Sequence, residues 1–236
     1  MKEQRPFTVH ALELGPMENF IYFIRDTDSG RTAVVDPAWD VPAIRNFARA
    51  HDMQITDILL THSHHDHVNG VDELLQDYDA QLHLLHAEAQ FWGARHTRPA
   101  LHYGGDSIAV GKTDIEVLHT PGHTPGSACY RMGDQLITGD TLFVFGCGRC
   151  DMQGGDPEQM FVTLKDIVSR LPSETVILPG HNYAEKATST LQEQVQGNPF
   201  LHFTEVDRFV KYRMVYHDKH RHDPYGPIYK GHEMPE

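Results

Sequence analysis

Short apolar or alternating runs open the chain. Residues 8–14, 20–24 and 32–35 read as strands, with Gly15-Pro16 and Asp28-Ser29-Gly30 supplying the turns of an antiparallel start. After Asp40, a capping type, the period changes: Val41, Ile44 and Ala48 recur at helical spacing before residues 58–60 return to strand. The pattern then predicts a helix over 71–78, a strand over 81–85 and a helix over 86–94. Beyond Gly104-Gly105, strand-like runs at 107–110, 115–118, 128–131 and 135–138 imply a second sheet. Asp156-Pro157 caps and starts a helix that carries Met160, Leu164, Ile167 and Leu171 on one face, and 176–178 is one more strand. After Ala184 the chain turns polar and helical, with Asn198-Pro199 as a breaker. Two strand-rich halves, each followed by helices, fit two packed sheets with helices outside and strand ends along one edge.

The chain has 236 residues, enough for one catalytic unit over 1–185 with a helical or irregular extension over 186–236. A formal charge of −13 disfavours nucleic acid and anionic membrane as partners, because the surface repels both, and suits an enzyme of small molecules. No apolar stretch reaches the length of a spanning helix or resembles a signal peptide, so the expected compartment is the cytoplasm. Cys129, Cys147 and Cys150 make an odd count that suits a reducing compartment. The CxxC at 147–150 lies in a glycine-rich loop rather than at a helix start, which favours a bland reading. Of the 18 histidines, those between His217 and His232 are expected in a solvated, weakly structured tail.

Chemistry concentrates in Thr61-His62-Ser63-His64-His65-Asp66-His67, four imidazoles and a carboxylate directly after the run Ile58-Leu59-Leu60. Neutral imidazole and carboxylate are preferred ligands of zinc and related divalent ions, and a strand end is rigid enough to aim them. His62 and His64 lie two apart and can share one ion, while Asp66 and His67 can reach a second. Further ligand-grade residues follow other strands: His123 in Pro121-Gly122-His123-Thr124-Pro125-Gly126, Asp140 in Thr138-Gly139-Asp140-Thr141, and His181 in Pro179-Gly180-His181-Asn182. A structural zinc site commonly includes cysteine, and none of the cysteines belongs to this set.

These residues resemble the metallo-β-lactamase fold superfamily, whose HxHxDH motif reads here as His62, His64, Asp66 and His67, over roughly residues 7–185. The resemblance implies an α/β four-layer αββα sandwich with a C-terminal helical extension and metals between the loop ends of the two sheets. It also implies that His62, His64 and His123 hold one ion, Asp66, His67 and His181 a second, and Asp140 bridges them. His65 falls at a variable position. Asp36, closing Ala33-Val34-Val35-Asp36-Pro37, resembles the aspartate that orients a ligating imidazole, and reads equally as a strand-end turn cap.

Gly146-Cys147-Gly148-Arg149, the proline-led helix, Pro179-Gly180-His181-Asn182-Tyr183 and Asn198-Pro199-Phe200-Leu201 look like glyoxalase II, hydroxyacylglutathione hydrolase, and related thioester hydrolases. That resemblance implies two divalent ions, Zn2+ first with Fe or Mn as alternatives, and a glutathione-containing thioester cleaved by a hydroxide held between the metals and oriented by Asp66. It further implies substrate contacts from Arg149 and Tyr183. The chain departs from glyoxalase II at Cys150-Asp151-Met152, where that family is aromatic-rich; Arg208, Lys211 and Arg213 are candidates for the remaining cations. Two alternatives stay open. One is a glutathione persulfide dioxygenase, which Gly146-Cys147-Gly148-Arg149 and Asp151 also resemble, with a single iron on His62, His123 and Asp140; the other is a hydrolase of coenzyme A or acyl-carrier thioesters.

Overall fold

The computed structural model describes residues 5–93, 98–219 and 224–229. The first sheet begins with β1 (Phe7–Leu14), β2 (Asn19–Asp26) and β3 (Arg31–Val35), an antiparallel meander. It continues in parallel through β4 (Gln54–Leu59), β5 (Gln81–Leu85) and β6 (Ala100–His102), giving the order β1-β2-β3-β4-β5-β6. Parallel neighbours need crossovers. α1 (Val41–Ala50) links β3 to β4, the short α2 (His65–Val68) and α3 (Val71–Asp77) lead to β5, and α4 (His86–Trp92) leads to β6.

The second half contributes β7 (Ser107–Val110), β8 (Thr113–His119), β9 (Ala128–Met132) and β10 (Gln135–Gly139). A two-stranded ribbon of β11 (Leu142–Phe143) and β12 (Gly146–Cys147) precedes α5 (Pro157–Arg170). β13 (Val176–Pro179) and β14 (Ser189–Thr190) complete a sheet ordered β14-β13-β10-β9-β8-β7. α6 (Leu191–Gly197), a single 3-10 turn (Pro199–Leu201), α7 (Val206–Lys211), a π-helical turn (Tyr212–Tyr216) and α8 (His217–Lys219) follow.

The layers follow from strand alternation. In β2 the side chains of Phe20, Tyr22 and Ile24 face the second sheet, where Val117, Tyr130, Ile137 and Leu178 meet them, while Ile21 and Phe23 face outward onto Val41, Ile44 and Ala48 of α1. A strand covered on both sides is apolar throughout, which explains the unbroken run at 20–24. On the far side, Cys129, Leu136 and Ile177 pack under Met160, Leu164 and Ile167 of α5, with Phe200 and Phe209. The result is the expected αββα sandwich with C-terminal helices. Residues 186–236 contribute β14 to the second sheet and Leu191, Phe200, Phe209 and Tyr212 to its outer core.

Several details differ from the periodicity. β4 starts at Gln54 rather than 58, because Ile55 and Asp57 pair in register with Thr32 and Ala33 although Thr56 and Asp57 break the apolar run. α5 ends at Arg170, so Leu171 is the residue after the helix and is half-buried. Ala94, expected to close α4, lies outside the described residues. His217 does not belong to a solvated tail: it is buried against Phe200 and Tyr225. His220, His222 and His232 lie outside the described residues. No helix among the described residues is long and apolar enough to cross a membrane.

Candidate metal centre

Each chemistry-bearing loop starts where a strand stops, at the same edge of the sandwich. β4 runs into His62, His64, Asp66 and His67; the β8–β9 loop carries His123; β10 ends beside Asp140; β13 ends beside His181. Backbone hydrogen bonds tie these ends together across the two sheets. Phe20 N–H donates to Gly180 O at 2.9 Å, Asn182 N–H to Glu18 O at 2.9 Å, and Ala128 N–H to Thr61 O at 2.8 Å. Gly180 is required by proximity: a Cβ there would meet Asp140 Oδ1 at 2.5 Å.

The seven residues that the motifs single out lie in two adjoining groups. Donor atoms of His62, His64 and His123 all lie within 4.8 Å of one another, and so do those of Asp66, His67 and His181. Asp140 stands between them, Oδ1 at 3.3 Å from Nε2 of both His67 and His181, and Oδ2 at 3.6 Å from His123 Nε2. His65, by contrast, is exposed at the start of α2.

Hydrogen bonds orient the rings. His123 Nδ1–H donates to Arg149 O and His181 Nδ1–H to Met17 O, each at 2.7 Å. His67 Nδ1–H donates to Asp36 Oδ2 at 3.0 Å. Thr61 uses its hydroxyl hydrogen on Asp36 Oδ2 at 2.6 Å, so its oxygen accepts from His62 Nδ1–H at 3.0 Å. Four imidazoles therefore turn an Nε2 lone pair inward, and His64 turns its Nδ1, 2.8 Å from His123 Nε2. Asp36 is a buried residue in left-handed backbone (φ 52°), and it also accepts Thr61 N–H at 2.7 Å. The Asp36 carboxylate thus ties the end of β4 to the His67 ring, which is the ring-orienting arrangement; its hydrogen-bond partners among the described residues lie on Thr61 and His67 and not in its own turn.

The donor set fits divalent ions. His62 Nε2 and Asp140 Oδ1 are buried with no hydrogen-bond partner, and buried polar atoms are rarely left so unless something else satisfies them. His67 Nε2 and His181 Nε2 stand 3.2 Å apart, lone pair toward lone pair unless a proton or cation lies between them. Burial holds His62 well below its ordinary value and His123 down to about 4, keeping both rings in the neutral, ligating form. Burial opposes charge on Asp140 as well, but His181 and His67 beside it outweigh that and keep the carboxylate ionised. At His67 burial disfavours a proton, yet Asp140, Asp36 and Asp66 around it together raise its pKa. Three carboxylates about one ring call for positive charge at this point, which a proton or a divalent ion can supply.

The groups open into a cavity of about 600 Å³, a size suited to a small-molecule substrate. His64, Asp66, His123, Asp140 and His181 share its wall with Phe143, Arg149, Tyr183, Arg213 and Tyr225. The Tyr183 ring stacks on His181, centroids 4.6 Å apart and planes 8° from parallel. Arg149 reaches the cavity but is already engaged: its Nε and Nη2 donate to Asp151 at 2.8 and 2.6 Å. Arg208 and Lys211 line a different surface groove with Phe203 and Tyr216.

Two contributors carried no sequence signal. Asn19 donates from Nδ2 to Asp66 O and Oδ2 at 3.1 and 3.0 Å and accepts Trp39 Nε1–H at 2.8 Å, fixing the Asp66 loop. Glu88, fully buried, accepts hydrogen bonds from both the 61–67 and 120–127 loops. A polar residue at a strand start and a glutamate in a helix's first turn are ordinary in sequence, and only packing reveals them.

The family model described as the metallo-beta-lactamase superfamily matches residues 14–181. A probable polyketide biosynthesis zinc-dependent hydrolase, BaeB of Bacillus velezensis, is 34% identical over 83% of this chain and 87% of its own. Hydroxyacylglutathione hydrolase of Salmonella enteritidis is 41% identical over 70% of this chain, an alignment that spans 62% of that enzyme. The crystal structure of ETHE1 from Myxococcus xanthus superposes with a TM-score of 0.81 at 27% identity, covering 89% of this chain and 91% of that one.

Proposed function

The chain belongs to the metallo-beta-lactamase superfamily, and from that premise we propose that this metal-dependent hydrolase cleaves a thioester whose thiol part carries an anion, a hydroxyacylglutathione-type substrate. The observation that carries this reading is a joint one: two donor groups adjoining Asp140 share their cavity with a buried guanidinium that makes no direct ion pair among the described residues. Arg213 is only 3% exposed, and its Nε is buried without a hydrogen-bond partner. Nη1 donates to His217 Nδ1 at 2.7 Å, and the group lies 5.8 Å from the Phe200 ring centre. Among the described residues no carboxylate forms an ion pair with it. The Arg213 charge reaches Asp151 only at a distance, and a buried cation without a directly paired acid is costly to the fold and attracts an anionic ligand. The 41% identity to a hydroxyacylglutathione hydrolase supports the same carrier.

Bound ions, zinc foremost, would lower the pKa of water toward ~7 and polarise the carbonyl. His62, His64 and His123 would hold one, Asp66, His67 and His181 the other, with Asp140 shared. Asp66, fixed by Asn19, faces the cavity and orients the attacking water. Tyr183 and Arg213 bind the carrier, while Arg149, paired with Asp151, shapes the wall. A thiol with pKa about 8.5 leaves as thiolate, so the reaction needs no separate general acid.

The test combines metal counting with a substrate panel. Expected are two ions per chain and turnover of a lactoylglutathione-type thioester, with KM rising about tenfold, roughly 1.4 kcal/mol, in Arg213→Gln. Preference for a coenzyme A or acyl-carrier thioester would move the proposal to that carrier, a reading supported by similarity to a relative named for polyketide biosynthesis. One iron per chain with oxygen uptake on glutathione persulfide would replace hydrolysis by the dioxygenase alternative, which the 146–151 loop supports.

A further inference from the structure

We propose that Glu88 is the positioning residue that assembles the His62, His64 and His123 group, acting as a clamp between the two loops that carry it. Glu88 stands in the first turn of α4, fully buried and away from the cavity wall. Its Oε1 accepts Ser63 N–H at 2.7 Å and the Ser63 hydroxyl at 2.6 Å. Its Oε2 accepts the Thr124 hydroxyl at 2.7 Å and Gly126 N–H at 3.1 Å. Ser63 is the residue between His62 and His64, and Thr124 directly follows His123. One carboxylate therefore fixes the spacing between two histidines on the β4 loop and a third on the β8–β9 loop, 59 residues apart in the chain.

The chemistry of the clamp requires a carboxylate. All four bonds come from donors, two of them backbone amides that cannot reverse their role, and an ionised carboxylate is acceptor-only. A glutamine would keep the shape but turn an NH2 group toward one donor pair, leaving buried donors facing donors. Close approach reinforces the geometry: a Cβ on Gly126 would run into the Glu88 backbone, so the second loop lies flush on α4. The other group depends on different supports, with Asp66 held by Asn19, His67 by Asp36 and His181 by Met17 O. Loss of the clamp should therefore be felt at one group and not at both. This inference rests on metal binding by the site and is independent of the substrate.

The experiment is chelator competition on metal-loaded Glu88→Gln, with bound zinc counted per chain and His62→Ala and His181→Ala as single-site references. The expected result is a loss of about 10- to 100-fold in affinity at the all-histidine group, a profile matching His62→Ala, with the second ion held as in the unaltered protein. Thr124→Val, which removes one of the four bonds and leaves the carboxylate, should show a smaller loss at the same group; it carries the test if Glu88→Gln does not fold. Unchanged affinity at both groups, or equal weakening of both, overturns the proposal.

Discussion

Asp140 is the residue on which both groups converge, because its two oxygens face different histidines. Replacing it with alanine removes that link and leaves His67 and His181 facing each other. Asp140→Ala is expected to lose metal from both groups and to lower turnover by roughly 10³-fold; full metal content by elemental analysis would refute the bridging role. Asp151 gives a second prediction at this scale. The Arg149 hydrogen bonds hold its carboxyl down to about 2, from an ordinary 3.8. A depressed carboxylate contributes stability that is fully present above its unfolded value and is lost as pH falls through its folded value, here between about 4 and 2. The pair is partly exposed, so the contribution is below about 1 kcal/mol. Carbon NMR should place the Asp151 midpoint near 2 and move it up toward 3.8 in Arg149→Gln. An unmoved midpoint would show that Arg149 is not the cause.

Helix ends and strand ends decide how the site is presented. Asp156 caps α5 by accepting Glu158 N–H at 2.9 Å and Gln159 N–H at 3.0 Å, and Asp156 N–H itself donates to Gly122 O, next to His123. Asp156→Ala should cost about 1 kcal/mol, a fall in Tm of about 2–4 °C, with metal content retained. No shift in Tm would mean that the cap is dispensable. This helix was legible in sequence because Asp156-Pro157 and the Met160, Leu164, Ile167 spacing agree at every level. The HxHxDH loop was legible too, because its imidazoles are contiguous behind an apolar strand. β6, β11, β12 and β14 were not: two- or three-residue strands have no measurable period and exist only through their neighbours' hydrogen bonds. Glu88 and Asn19 were hidden for the same reason, since one polar side chain gives no pattern until a fold buries it. His217 was misplaced because a polar, histidine-rich tail reads as solvated, whereas Arg213, Phe200 and Tyr225 provide it with a buried setting.

At the scale of the molecule, the donor groups draw on both sheets, so bound ions would join the halves of the sandwich. Ligands that bind only the folded chain stabilise it by mass action, about 2.7 kcal/mol per site at a hundred times Kd. Stripping both metals with a chelator should lower Tm by about 10–20 °C, and zinc should restore it; a Tm indifferent to both would sink the two-ion reading. The junction between Asn19 and His181 has one more consequence. His67 and His181 are 114 residues apart, so during synthesis at about 5–20 residues per second the ribosome releases the first ring roughly 6–23 s before the last. For that interval a nascent chain displays a half-built donor cluster, and only the arrival of β13 beside the opening hairpin completes it. Metal capture at the second group would thereby be timed to the closing of the two sheets.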